Sequence, residues 1–120
     1  MLELLQARKM AEHWCDAWNR RDLDSIMQHY TDDVELNSPF VVQRLGNADG
    51  WVRGKDNLRA YFALGLRVPD LHFELVEVLL GVAAVTILYK RETGTMVADV
   101  IELDGSRRGK RIHVCYSMPY

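Results

Sequence analysis

The chain has 120 residues, 48% of them hydrophobic and 27% charged, and its fifteen Lys and Arg against seventeen Asp and Glu give a formal charge of −2. This is ordinary globular usage, with length for one domain, taken as 1–120, around one core. The basic residues are scattered singly or in pairs, which argues against a nucleic-acid-binding stripe. The apolar run near Leu75 to Leu88 is broken by Glu77, Gly81 and Thr86 and falls short of the roughly 18 residues of a membrane span. No apolar N-terminal stretch with a small-residue cleavage site is present, so a cytoplasmic protein is expected. Cys15 and Cys115 lie far apart, without metal-knuckle or disulfide spacing, and are expected to be buried, reduced thiols.

Apolar residues at Ala7, Met10, Ala11, Trp14, Ala17 and Trp18 recur every three or four positions, which predicts a helix over 2–19. Asp22 is placed to cap a second, short helix with Leu23, Ile26, Met27 and Tyr30 on one face, and Thr31-Asp32-Asp33 reads as its stop. Val34, Leu36 and Ser38 then alternate with Glu35 and Asn37 up to Pro39, the pattern of a half-buried strand. Residues 40–53 hold no period. Their turn residues Gly46, Asn47, Asp49 and Gly50 stand among Phe40, Val41, Val42 and Trp51, which predicts a packed loop or lid. Leu58, Tyr61, Phe62 and Leu66 predict a third helix over 54–68, ended by Pro69. Beyond it the period becomes two, and segments 71–80, 82–92, 95–104 and 110–118, parted by glycine turns, predict an antiparallel meander. The fold class is therefore α+β: a curved antiparallel sheet wrapped on three N-terminal helices, leaving a cone open at one end where a small ligand would sit.

Ala17-Trp18-Asn19-Arg20-Arg21-Asp22-Leu23-Asp24, Tyr30-Thr31-Asp32-Asp33-Val34, Ser38-Pro39, Gly54 to Phe62, Pro69-Asp70-Leu71 and the apolar meander follow one another in an order that resembles the nuclear-transport-factor-2-like superfamily. Within it the chain is most similar to the SnoaL-like group, from about Ala11 to Tyr116. The resemblance implies a cystatin-like cone, but this superfamily includes ketosteroid isomerases, polyketide cyclases, epoxide hydrolases, dehydratases and members without catalysis, and a shared fold does not choose among them. The isomerases' acidic oxyanion-hole residue corresponds to Asp99. Their oxyanion-hole tyrosine falls where this sequence has Trp14, and their general-base aspartate falls where it has Ser38 before Pro39. A serine hydroxyl is too weak a base to take a proton from carbon unaided, so ketosteroid isomerisation is not expected.

Asp99 is the sharpest candidate in the residues themselves, because Val97, Asp99, Ile101 and Leu103 share one strand face. A carboxyl between Val97 and Ile101 would be desolvated, and desolvation raises its pKa until it can act as a neutral donor or general acid. His113 shares its face with Arg111, Cys115 and Ser117 and is the second catalytic candidate, as a proton shuttle in a polar pocket, with a solvent-facing position as the alternative. His72, His13 and His29 stand beside polar neighbours and are expected at the surface. Arg91, near the rim, is placed to hold a carboxylate or enolate. The predicted pocket is lined by Trp14, Trp18, Tyr30, Ser38, Tyr61 and Tyr89 around Asp99. No metal-ligand spacing, phosphate loop or nucleophile elbow occurs, so no cofactor is expected. The expected partner is a small, largely apolar molecule with a carbonyl or hydroxyl, converted by cofactor-free isomerase, cyclase or lyase chemistry; the alternative is a non-catalytic ligand-binding or association module whose cavity only binds or is filled by its own side chains. A homodimer is expected through an outer face of Ala98, Val100, Ile112, Val114 and Tyr116.

Overall fold

The tryptophan stripe of the first segment and the period-two pattern of the last four become the two layers of the fold. A computed structural model describes residues 2–117. Its elements run α1 (Leu4–Asn19), α2 (Leu23–Met27), β1 (Tyr30–Asn37), α3 (Pro39–Leu45), β2 (Trp51–Arg53), α4 (Lys55–Gly65), β3 (Glu74–Leu80), β4 (Ala84–Lys90), β5 (Met96–Leu103) and β6 (Gly109–Tyr116). The α+β class holds, with four helices among the described residues rather than three.

The added helix, α3, lies in the segment expected to be a loop. Its seven residues are too few to show a period, but its ends are chemically marked. Ser38 is the N-cap and accepts from the Phe40 N–H, Pro39 occupies the first turn, and Gly46 ends the helix at φ 72°. The three-residue strand β2 follows. At the other end of the chain, the Gln6 side chain accepts from the Glu3 N–H at the start of α1. Arg21, at φ 57°, turns the chain into α2, where Asp22 accepts from Ser25.

The strands form one curled, unclosed sheet in the order β2-β1-β6-β5-β4-β3. All neighbours are antiparallel except β1 and β6, which run parallel, so the sheet is mixed. The chain leaves β1 for α3, β2 and α4, enters the meander at the far edge, and returns to β1 in the same direction. Tyr30 opens β1 instead of closing α2, and Asp32 and Asp33 are exposed in that strand, where pairing with β6 is irregular between Tyr30 and Glu35. Cys15 is buried on α1, but Cys115 is exposed on β6. Among the described residues, no helix is long and apolar enough to cross a membrane.

Register settles which face of each strand enters the cone. Asp99 pairs with Val114, and Ile101 with Ile112, so Ile112, Val114 and Tyr116 point inward with Asp99. That corrects the expected outer face: Val100 and Ala98 point outward, but their neighbours there are His113 and Cys115.

Candidate functional site

Where α1, α3 and α4 cover the sheet, a cavity of about 50 Å3 remains, lined mainly by aromatic rings. Phe73 lies 4.5 Å from Tyr89 and 5.0 Å from Trp18, centroid to centroid, and Trp14 lies 5.2 Å from Tyr89. Phe73 precedes β3 and is held by its backbone. Asn19 Oδ1 accepts from its N–H at 2.8 Å, and Asn19 Nδ2 donates to its carbonyl at 2.9 Å.

Asp99 reaches this cavity from the middle of β5 and is 3% exposed. The Tyr89 hydroxyl donates to its Oδ1 at 2.9 Å. Burial pushes the carboxyl from its ordinary 3.8 up to about 7, against the lowering effect of the Tyr89 hydrogen bond. Burial and the neighbouring carboxylate push the Tyr89 phenol well up, so it stays a neutral donor. Asp99 is the one carboxylate among the described residues lining the cavity.

A second polar group faces it. Ser38 is 2% exposed, and hydrogen bonding with Ser38 opposes the burial-driven rise of both the Tyr61 and Tyr116 phenols. Arg44 and Arg91 complete the lining. Arg91 stands over the Phe73 ring at 5.6 Å and pairs with Glu92 at 3.0 Å.

Of the predicted site, the fold brings Trp14, Trp18, Ser38, Tyr61, Tyr89 and Asp99 to one cavity. Trp14 contributes its ring but no free donor, because its indole N–H is given to the Tyr30 hydroxyl at 2.9 Å. Tyr30 itself lines a separate space of about 20 Å3 beside His29. The Trp18 Nε1 is buried without an acceptor among the described residues. His113 lies outside the pocket: it is exposed on the outer face, across from Val100 and edge-on to Trp51 at 5.3 Å. An outward side chain across the sheet from the cavity cannot shuttle a proton into it, which corrects that assignment. His72 and His13 are exposed, while His29 is half-buried. The sequence reading missed Phe73, Tyr116 and Arg44. Tyr116 shares a strand face with the apolar Ile112 and Val114, and only the register with β5 turns that face inward.

A family model for the SnoaL-like domain matches residues 11–117. The chain belongs to the SnoaL-like domain family. A SnoaL-like protein of unknown function from Burkholderia thailandensis E264 is 39% identical over 93% of this chain and 94% of that one, with a TM-score of 0.89. A presumptive ketosteroid isomerase from Kribbella flavida DSM 17836 has a TM-score of 0.74 at 14% identity, over 98% of this chain and 82% of that one. A presumptive polyketide cyclase from Sinorhizobium meliloti has a TM-score of 0.74 at 9% identity, over 95% of this chain and all (100%) of that one. These last two likenesses are of fold alone. None of the curated proteins matches the sequence. In this SnoaL-like chain, Ser38 and Asp99 both line the cavity, and Asp99 is the one acid there among the described residues.

Proposed function

We propose that the cone receives a small, largely apolar molecule through a carbonyl or hydroxyl oxygen, with Asp99 as its hydrogen-bond donor and proton source. One observation supports the reading above the others. The one carboxyl on the aromatic cavity wall among the described residues is oriented by Tyr89, and burial pushes its pKa up to about 7. A carboxyl poised there is populated in both forms near neutral pH, the condition for efficient proton transfer. In its neutral form it donates to oxygen and stabilises a developing oxyanion. The fitting chemistry is an isomerase, cyclase or lyase step in which neutral Asp99 donates its proton to the ligand oxygen and a proton leaving carbon passes to solvent water.

Binding without turnover is the second reading, and both readings require the aromatic wall to open further as the ligand enters. A void of about 50 Å3 is far below the several hundred Å3 of a typical ligand site and holds only about three or four waters. Titrating butanone, cyclohexanone and cyclohexanol into 15N-labelled protein tests both readings. Saturable amide shifts around Tyr89, Asp99 and Val114, weakened by Asp99→Leu, are expected. Ketone that also exchanges its α-protons for solvent deuterium faster than with Asp99→Asn marks catalysis; binding with no such exchange marks the second reading. Absence of saturable shifts at millimolar ketone and alcohol would overturn both.

A further inference from the structure

Arg44 is a cation of the cavity lining that has no counter-ion among the described residues. It lies in the last turn of α3 with its guanidinium carbon 5.0 Å from the Phe40 ring centroid. A guanidinium nitrogen reaches α4, 3.5 Å from where a Cβ on Gly65 would stand. The side chain thus crosses from one helix to the other at the cavity's rim, in space that a larger residue at 65 would take. Arg8, Arg20, Arg53, Arg59, Arg91 and Arg111 each pair with a carboxylate. Arg44 has no ion pair among the described residues. The other guanidinium on this cavity, Arg91, is already compensated by Glu92, and both side chains are largely buried, 14% and 16% exposed.

The rim therefore carries one exposed positive charge with no carboxylate paired to it among the described residues, while the polar oxygens of Asp99 and Tyr89 are buried. The Arg44 charge is felt inside, where it opposes the burial-driven rise of the Tyr61 phenol. A guanidinium laid on an aromatic ring is partly desolvated and keeps its planar fork of donors, which matches a carboxylate in geometry and charge. A phosphate would bring up to two negative charges to a rim with one uncompensated cation, so the carboxylate is the better match.

We propose that the ligand is an acid: its carbonyl or hydroxyl oxygen meets Asp99 and Tyr89, an apolar stretch lies along the aromatic wall, and its carboxylate is taken by Arg44. This rests on the pocket reading above and narrows it to oxo- and hydroxy-carboxylates.

The test uses straight-chain oxo-carboxylates of four to eight carbons, with the ketone at the end away from the acid, and the methyl amide of each, titrated into 15N-labelled protein. At the best chain length the acid is expected to bind about tenfold more tightly than its amide, which is roughly 1.4 kcal/mol. Arg44→Gln should bring that ratio close to one, Arg44→Lys should restore part of it, and added salt should shrink it in the unmodified protein. Asp99→Leu should weaken acid and amide alike. Acids and amides binding equally, or a ratio that survives Arg44→Gln, would overturn the assignment of the acid while leaving the pocket reading intact. Failure of both acid and amide to bind at any length would overturn the pocket reading, and this inference with it.

Discussion

Tyr89 and Asp99 are diagonal neighbours on adjacent strands: Tyr89 pairs with Val97, and its hydroxyl reaches two residues along β5 to donate to Asp99 Oδ1. The hydrogen bond favours the carboxylate, but burial outweighs it and leaves the pKa at about 7 against an ordinary 3.8. Between those values the folded chain holds a proton that the unfolded chain has released. Stability therefore falls as pH rises from about 4 to 7 and levels off above.

Asp99→Asn removes the buried charge and keeps the shape. At pH 8 the variant should be more stable than the unmodified chain, by up to about 4 kcal/mol from a shift of this size, and the difference should vanish near pH 4. Urea unfolding at the two pH values measures it. A stability difference that does not change between them would show that Asp99 titrates normally.

The Asn19 clamp on Phe73 gives a second expectation. Asn19→Ala leaves a part-buried N–H and carbonyl of Phe73 without partners. The expected loss is about 2 kcal/mol, the scale of unsatisfied backbone groups. Asn19→Asp, which keeps the acceptor, should lose less. An alanine variant within roughly 0.5 kcal/mol of the unmodified chain, the range of ordinary surface changes, would mean that water replaces the clamp.

Asp99 was legible because alternation along β5 sets it between Val97 and Ile101, and no register of the sheet alters which residues share its face. His113 was not legible in that way. Alternation in β6 separates Arg111, His113 and Cys115 from Ile112, Val114 and Tyr116, but which set joins Asp99 depends on register. That register includes an irregularity between Glu102 and Leu103, which no residue pattern announces. Phe73 falls in the segment 71–80 read as a strand, but β3 begins only at Glu74, and the place of Phe73 is fixed by a side chain 54 positions earlier. Arg44 sits on a helix too short to show a face. The fold's layers are written in periodicity, whereas the polar side of the site is written in tertiary hydrogen bonds.

His13 and His29 make a pH-dependent contact on the far side of α1. Nδ1 of His13 and Nε2 of His29 are 3.0 Å apart, so one ring donates to the other. Burial, with the His13 charge adding to it, lowers His29 to about 4 from 6.5. Neutral His29 is thus favoured in the folded chain, and its contribution is complete above pH 6.5 and is lost as pH falls toward 4. The loss should reach up to about 3 kcal/mol. Asp99 shifts stability the opposite way over this range, so the quantity to measure is the difference between the unmodified chain and His29→Gln. That difference should shrink with acidification. Parallel stability curves for the two proteins would exclude His29 as the titrating group.

The outer face of the sheet yields the last expectation. Val100, at 37% exposed, lies between Thr86 of β4 and His113 of β6, and Leu79, at 52% exposed, lies beyond Thr86 on β3. Leu88, Ala98 and Cys115 form the neighbouring row, so Leu79, Leu88, Ala98 and Val100 make an apolar band over β3, β4 and β5, bordered by Glu77 on β3 and by His113 on β6. Charges stand at one side of this band, where Arg111 is near Glu35 and Glu102. An apolar band with charges beside it is the composition of a protein interface, and we expect two copies of the chain to pair through it. Around a two-fold axis each Val100 would face the same band of the other copy, so Val100→Lys brings two like charges into a dry contact. Light scattering at micromolar concentration should give about twice the 13.9 kDa chain mass for the unmodified protein and the single-chain mass for Val100→Lys. Arg53→Gln, on the same sheet face but outside the apolar rows, should leave the dimer intact. A monomer mass for the unmodified protein would refute pairing, and a dimer indifferent to lysine at 100 would place the contact elsewhere.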